Sequence, residues 1–432
     1  MELIEERNYC LNCKNKQCSA FGCPLENDIP GFIKANDDKT AFEILCKTTV
    51  LPAICGRICP KSRYCQANCI RGIRQEPVEI GKIETYIGDI SIKNNYKIPK
   101  ESLKLKNKKV AVVGSGPAGL TCAAFLAMKG IQVTIYEKNK KLGGILQYGI
   151  PSFRLDKKIV DETINKILEL GIKTKTNQEL GKDFNIDQLA KEYDAVFISI
   201  GTNKQRTILE GRNILSANLL LENIQKNKSF PDFKNKNVLI YGGGNVAIDA
   251  ARTIKRLGAN VSIVYRRNIE QMPAEISEIK DAQNEGIKTI EKTNIIKFKN
   301  GKASCIQTRL VEKNDNIEEK LQHKNPIEQK NIKRNNTKVE NIEGTNYEID
   351  ADYIILAIGS LADVELLKKQ GIKIDEHGFI QVDEYNRTSI KKVFAGGDII
   401  GKEATVAYAA RSGRETANYI TQLLQKNNID VT

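Results

Sequence analysis

Lys108 to Gly119 read KKVAVVGSGPAG, and Lys236 to Ala247 read KNVLIYGGGNVA. In both, a short apolar run stops at a glycine turn and a helix-forming stretch follows, LTCAAFLAMKG after the first. Further along each segment comes another apolar run, QVTIYE ending at Glu137 and NVSIVYRR ending at Arg267. Strand, turn, helix and strand in this order make the βαβ unit of a parallel sheet. Each unit also has a later apolar run ending in a small turn, YDAVFISIGT from Tyr193 and ADYIILAIGS from Ala351. Such a run suits a strand that closes the sheet beside a bound nucleotide. The repeat predicts an α/β fold with two Rossmann-like dinucleotide-binding units.

The two units differ in what they select. In the first, Gly114, Gly116 and Gly119 form GxGxxG, which lets backbone N–H groups approach a pyrophosphate at a helix N-terminus. Glu137 ends the second strand, where a carboxylate accepts hydrogen bonds from ribose hydroxyls and repels a 2′-phosphate. The first ligand is therefore read as FAD or NAD. In the second unit Gly242, Gly244 and Ala247 give GxGxxA, and the second strand ends in Arg266 and Arg267 with no acid at the ribose position. Two guanidinium groups there suit the 2′-phosphate of NADPH. A third glycine turn, VFAGGD at Val393 to Asp398, precedes the helix-like run TVAYAARSGRETANYI. Asp398 is placed to bond the ribityl chain of a flavin, with helix N-terminal amides facing the ring.

Upstream of both units, nine of the eleven cysteines fall within the first 69 residues. Two bursts stand out, Cys10, Cys13, Cys18, Cys23 and then Cys55, Cys59, Cys65, Cys69. The N-terminus, MELIEERNYC, has no apolar run of signal-peptide length, so a cytoplasmic, reducing compartment is expected, where clustered cysteines are metal ligands rather than disulfides. The close spacing, with Pro24 and Pro60 after Cys23 and Cys59, favours two [4Fe-4S] clusters, and structural zinc is the alternative. No stretch reaches the length of a membrane span. The formal net charge of +14 raises nucleic-acid binding, and a basic, zinc-stabilised nucleic-acid-binding protein is the reading from a different class. The lysines, however, are scattered among Asn, Ile and Glu, with no arginine-rich block, which argues against it. A redox cysteine pair is missing from either nucleotide unit, since Cys122 lies in a helix-like run and Cys305 stands by itself. Electrons taken from a dinucleotide would therefore leave through the N-terminal clusters or through another subunit.

The domain reading follows. Residues 1–105 form a small helical domain holding two [4Fe-4S] clusters, 106–232 with 351–432 the FAD domain, and 233–350 the NADPH domain. A polar stretch at 311–348, with hardly any apolar periodicity, is expected to be a surface excursion.

Over nearly its whole length the chain resembles the glutamate synthase small-subunit family, which includes the flavin half of dihydropyrimidine dehydrogenase. The resemblance rests on CLNCKNKQC, CGRICPKSRYCQANC, GSGPAG, LGGILQYGIPSFRL, GGGNVAIDAAR, YRR, MPAE and AGGD, in family order. It implies a glutathione-reductase-like pair of domains, the FAD domain interrupted by the NADPH domain. It also implies interleaved ligation, with Cys10, Cys13, Cys18 and Cys69 on one cluster and Cys23, Cys59, Cys65 and Glu84, from IGKIE, on the other. Cys55 would be unligated. FAD would contact Gly114, Gly116, Glu137, Gly143, Gly144 and Asp398, and NADPH would contact Gly242, Gly244, Asn245, Arg266 and Arg267. The implied activity is passage of electrons from NADPH through FAD and the clusters to an acceptor subunit, amidotransferase-type or pyrimidine-reducing. One departure stands out. The family has three residues between the third and fourth cysteines of the first burst, whereas Cys18 and Cys23 enclose four, so a local bulge is expected there.

Overall fold

The computed structural model describes residues 2–101, 105–209, 211–312 and 337–426. The chain forms two compact units, one built from the residues up to Lys204 together with those from Leu361 on, the other from Gln205–Ser360. Each contains a five-stranded parallel sheet, and four strands follow the same order in both, while the fifth, at the outer edge beside the closing strand, comes last in the chain in the first unit and first in the second.

In the first unit the order is Val393–Ala395, Ala195–Ile198, Lys109–Val113, Gln132–Glu137, Lys173–Thr176. In the second it is Ile214–Ser216, Tyr353–Leu356, Asn237–Tyr241, Asn260–Val264, Lys288–Ile290. The glycine-turn strand is central in both. Val113 lies opposite Tyr136 and Ile198, and Tyr241 opposite Val264 and Leu356, so the carboxyl ends of the strands align along one edge. Ala195–Ile198 and Val110–Val113 are unbroken apolar runs, buried throughout, as a parallel sheet covered on both faces requires. The first glycine of each turn plays the same part in both units. Gly114 (φ +96°) and Gly242 (φ +147°) have backbone geometry that disfavours other residues. A Cβ would fall 2.6 Å from the Ser199 carbonyl oxygen in one and 2.3 Å from that of Ala357 in the other. The closing strands predicted from Tyr193 and Ala351 therefore lie directly beside the turns.

Helix Pro117–Met128 is buried at all twelve positions. It is covered by the long C-terminal helix Val406–Gln425, whose Gly413 lets the two backbones meet; a Cβ there would lie 2.2 Å from the Ala118 carbonyl oxygen.

The N-terminal segment is helical, with α-helices Leu3–Tyr9, Ile29–Ile33, Asp38–Cys46, Pro52–Ile58 and Ile80–Lys93. Phe32, Phe42, Leu45, Ile54, Ile83 and Ile87 form its centre, in one continuous core with Leu120 and Leu126 of the nucleotide fold. A π-helical turn, Cys18–Gly22, lies between the first two cysteine-bearing segments. That turn holds one more residue than an α turn, which accommodates the fourth residue between Cys18 and Cys23.

Two expectations need correction. The seams fall at 204/205 and 360/361 rather than 232/233 and 350/351, because Ile214–Ser216 and Tyr353–Leu356 pair within the second sheet. The polar stretch is not wholly an excursion. Lys302–Glu312, Thr337–Asn341 and Tyr347–Asp350 are strands of an antiparallel sheet completed by Thr293–Lys299. Its inward residues Ile295, Phe298, Ala303 and Cys305 join Leu239, Tyr241 and Ile354 in one core. Within the stretch, 313–336 lie outside the described residues. No helix among the described residues is long and apolar enough to cross a membrane.

Candidate cluster and nucleotide sites

Two cavities lie in the helical segment. Cys10, Cys13, Cys18 and Cys69 line the first, with Leu11, Ile70 and Arg71 at its border. Cys23, Cys59, Cys65 and Glu84 line the second, together with Cys55, Lys61, Tyr64 and Ala407. Ile29 and Ile80 line both. Among the described residues no three His, Cys, Asp or Glu side chains gather as ligands of a single metal ion; the sulfurs border the cavities instead.

Chain geometry explains each placement. Cys69 ends the second burst and returns to the first, capping the 3-10 turn Ile70–Ile73. Glu84 falls on the buried stripe of helix Ile80–Lys93, in line with Ile80 and Ile87, where helical spacing predicts an apolar residue. A carboxylate there costs free energy unless something compensates it. Burial pushes Glu84 up to about 8, and Lys61 and the Asn27 amide offset this in part. Burial also pushes Cys18 up to about 12 and Cys23 to about 11, and raises Cys10, Cys55, Cys59 and Cys65. Thiols held this far from ionisation become thiolates when a cationic metal centre supplies the missing charge. Four thiols around the first cavity, and four thiols with a buried carboxylate around the second, Cys55 among them, therefore fit iron–sulfur ligation by the chemistry of their donors.

Around the first nucleotide turn, Glu137 is 4% exposed. Its Oε2 accepts from the Ser115 N–H (3.1 Å) and hydroxyl (2.5 Å), and its Oε1 from the Asn139 N–H (2.8 Å) and side-chain amide (2.9 Å). The Ser115 hydroxyl oxygen also accepts from the Gly143 N–H at 3.1 Å, which ties the LGG turn to GxGxxG. A Cβ on Gly116 would meet no atom within 4 Å, so open space lies before the helix that Pro117 begins. Gln147 Oε1, in the helix after Gly144, is buried with no hydrogen-bond partner. An acid at the strand end, open space at the helix N-terminus and an orphaned acceptor together fit a dinucleotide. Asp398 lies at the start of the turn Gly397–Ile400, and the adjoining Gly397 is close to Ala118, so it shares this edge of the sheet. Burial pushes its carboxyl up to about 6. Gly119 packs the helix on the turn, a Cβ there falling 2.0 Å from the Gly114 carbonyl oxygen.

In the second unit, Arg266 is exposed and Arg267 half-buried just beyond strand Asn260–Val264. Gly244 is open apart from Pro273, 3.9 Å from a Cβ. Asn245 Oδ1 accepts from the Glu275 N–H at 2.9 Å, so this side chain holds the MPAE loop against the turn.

Sequence reasoning missed Ser115, Asn139, Asn27, Lys61, Tyr64 and Arg414. Ser115 sits inside the glycine motif, Asn139 lies two residues after Glu137 and Lys61 bonds the nearby Gly56 and Arg57 carbonyls; Asn27, Tyr64 and Arg414 carry no local signal, because their partners are distant in the chain.

Residues 108–413 match the family model described as pyridine nucleotide-disulphide oxidoreductase, and residues 1–96 the one described as dihydropyrimidine dehydrogenase domain II, 4Fe-4S cluster. The chain is 32% identical over 441 residues to the glutamate synthase [NADPH] small chain of Escherichia coli, covering 96% of this chain and 90% of that one. It is 30% identical to the NAD-dependent dihydropyrimidine dehydrogenase subunit PreT of Salmonella typhimurium, covering 98% and 94%. Among solved structures, FprA of Mycobacterium tuberculosis in complex with NADPH superposes with a TM-score of 0.60 at 17% identity, over 74% of this chain and 85% of that one.

Proposed function

Because this chain belongs to the pyridine nucleotide-disulphide oxidoreductase family, among the glutamate synthase small chains and their relatives, and carries an N-terminal 4Fe-4S domain, we propose that it delivers electrons from NADPH to a partner subunit of glutamate synthase type. It is a flavin and iron–sulfur NAD(P)H oxidoreductase. When bound, FAD would accept the nicotinamide hydride and two [4Fe-4S] clusters would carry single electrons onward.

The observation that carries this reading is the adjacency of the sites. Ala407, at the start of the helix that follows the Asp398 turn, lines the second cavity, and Ile29 and Ile80 separate that cavity from the first. A route from the flavin edge through the second cavity to the first thus crosses no unrelated part of the fold. Glu137 and Ser115 would hold the FAD ribose, and the side-chain donors of Ser115 and Asn139 are the ones that a ribose can replace. Gly114, Gly116, Gly143 and Gly144 would shape the pyrophosphate passage, and Asp398 would bond the ribityl chain. Gly242 and Gly244 would admit the pyrophosphate of NADPH, with Arg266 and Arg267 pairing its 2′-phosphate. Hydride transfer needs no side-chain acid or base, so no catalytic residue is assigned.

Anaerobic purification tests the cofactor set. About eight irons per chain with a flavin spectrum are expected, and zinc without flavin would overturn the reading. Replacing Arg266 and Arg267 by alanine is expected to raise KM for NADPH roughly tenfold or more, the worth of a charge-assisted bond, while NADH is hardly affected. Equal losses for both would remove the phosphate role. Co-purification from the native host tests the partner. An amidotransferase-type subunit is expected, and a pyrimidine-reducing one would move the chain beside PreT.

A further inference from the structure

Among the described residues, Glu84 is reached by one neutral donor. The Asn27 side-chain amide donates to Glu84 Oε1 at 3.3 Å, and Asn27 is itself 2% exposed. An amide can turn either end toward a neighbour, and here Thr48 decides. Its hydroxyl donates to Asn27 Oδ1 at 2.7 Å, with the Leu45 carbonyl farther away at 3.3 Å. With the oxygen so engaged, the nitrogen faces the carboxylate.

Both residues are held from the flavin side. Arg414, on helix Val406–Gln425 and 7% exposed, donates through Nη1 to the carbonyls of Leu25 (2.5 Å) and Thr48 (3.0 Å). These two carbonyls belong to the segments that carry Asn27 and the Thr48 hydroxyl. Arg411, one turn earlier, donates to the Pro24 carbonyl at 3.1 Å and pairs with Glu26 at 3.0 Å. The loop from Cys23 to Asn27 is thus fixed at several points by the helix that follows the Asp398 turn.

We propose that Asn27 is a positioning residue for the second cluster site, aiming the Glu84 carboxylate, and that Thr48 and Arg414 set the orientation of its amide. The inference rests on reading Glu84 as the fourth ligand of that site. A hydrogen bond to a ligand oxygen withdraws charge from the metal and so favours the more negative, reduced state.

The test is an EPR-monitored redox titration of the anaerobically purified full chain, with iron and flavin counted in parallel. Asn27→Ala is expected to shift the second cluster's signal and lower its potential, leaving the first cluster's signal, the iron count and the flavin unchanged. Thr48→Val should reproduce the shift in the same direction, and Thr48→Ser should restore the wild-type signal. If Asn27→Ala yields no soluble protein, the Thr48 pair carries the test. The proposal is overturned if the second cluster titrates as in the wild type, or if both clusters move together. Glu84→Ala separates the two ideas. An effect there with none at Asn27 or Thr48 removes the positioning role alone, whereas no effect at Glu84 removes the ligand reading and the proposal with it.

Discussion

At the residue scale, Cys23 shows how a departure from a family spacing is absorbed. Cys18 and Cys23 enclose one residue more than the family pattern, and the structure places that residue in the π-helical turn Cys18–Gly22. Cys18 still borders the first cavity and Cys23 the second. Ala20, within the turn, is exposed. Deleting it should collapse the turn to an α-like one with both cysteines in place, so the iron count should stay at the wild-type value; a fall by half would show that the extra residue is needed. Asp398 gives a pH signature. Its carboxyl, pushed up to about 6 by burial, binds its proton more tightly in the native chain than in the unfolded one, where the ordinary value is 3.8. Stability is therefore lost as pH rises from about 4 to about 6, and the full cost persists above. Asp398→Asn should raise the Tm of flavin-free protein at pH 8 and not at pH 4, and an equal gain at both would refute the cause. Cysteine positions and Glu137 were legible because type and spacing carry the chemistry. Asn27 and Arg414 were not, because an amide and a guanidinium acquire meaning here from partners that only the folded chain brings near.

At the element scale, the repeated strand and glycine turn were readable because a parallel strand buried on both faces leaves an unbroken apolar run. The antiparallel sheet from Thr293 to Asp350 was not. One of its strands, Thr337–Asn341, is half-buried or exposed along its length, so alternation is too weak to mark it. Glu84 was legible through the family segment IGKIE and not through periodicity, as a polar residue on a stripe that otherwise reads as core. Helix against helix makes the sharpest prediction at this scale. Gly413 brings the C-terminal helix against Pro117–Met128 at backbone distance. Gly413→Val must push these helices apart, at a cost of about 3 kcal/mol or more. The Arg414 contacts ride on the displaced helix, and the Asp398 turn, Gly397–Ile400, leads into it. Flavin content and Tm should fall together, and a variant with wild-type Tm and flavin would contradict this packing account.

At the scale of the whole molecule, motif order suggested a separate cluster domain at residues 1–105, whereas the structure groups that segment with the first nucleotide fold. The helical segment and the first nucleotide fold share one core, with Phe42 and Ile87 in the same apolar cluster as Leu120 and Leu126. Arg414, buried in the C-terminal helix, finds its acceptors at Leu25 and Thr48. Removing the N-terminal segment would expose that apolar core to water and strip Arg414 of its acceptors at Leu25 and Thr48. Residues 105–432 expressed without it should therefore be insoluble, or melt roughly 10 °C or more below the full chain with little bound flavin. A soluble, flavin-loaded fragment of unchanged Tm would mean that the clusters are an appendage. The expected outcome means instead that the helical segment and the first nucleotide fold are stabilised as one body, so that stripping iron by chelation at low pH should depress the Tm of the nucleotide fold as well.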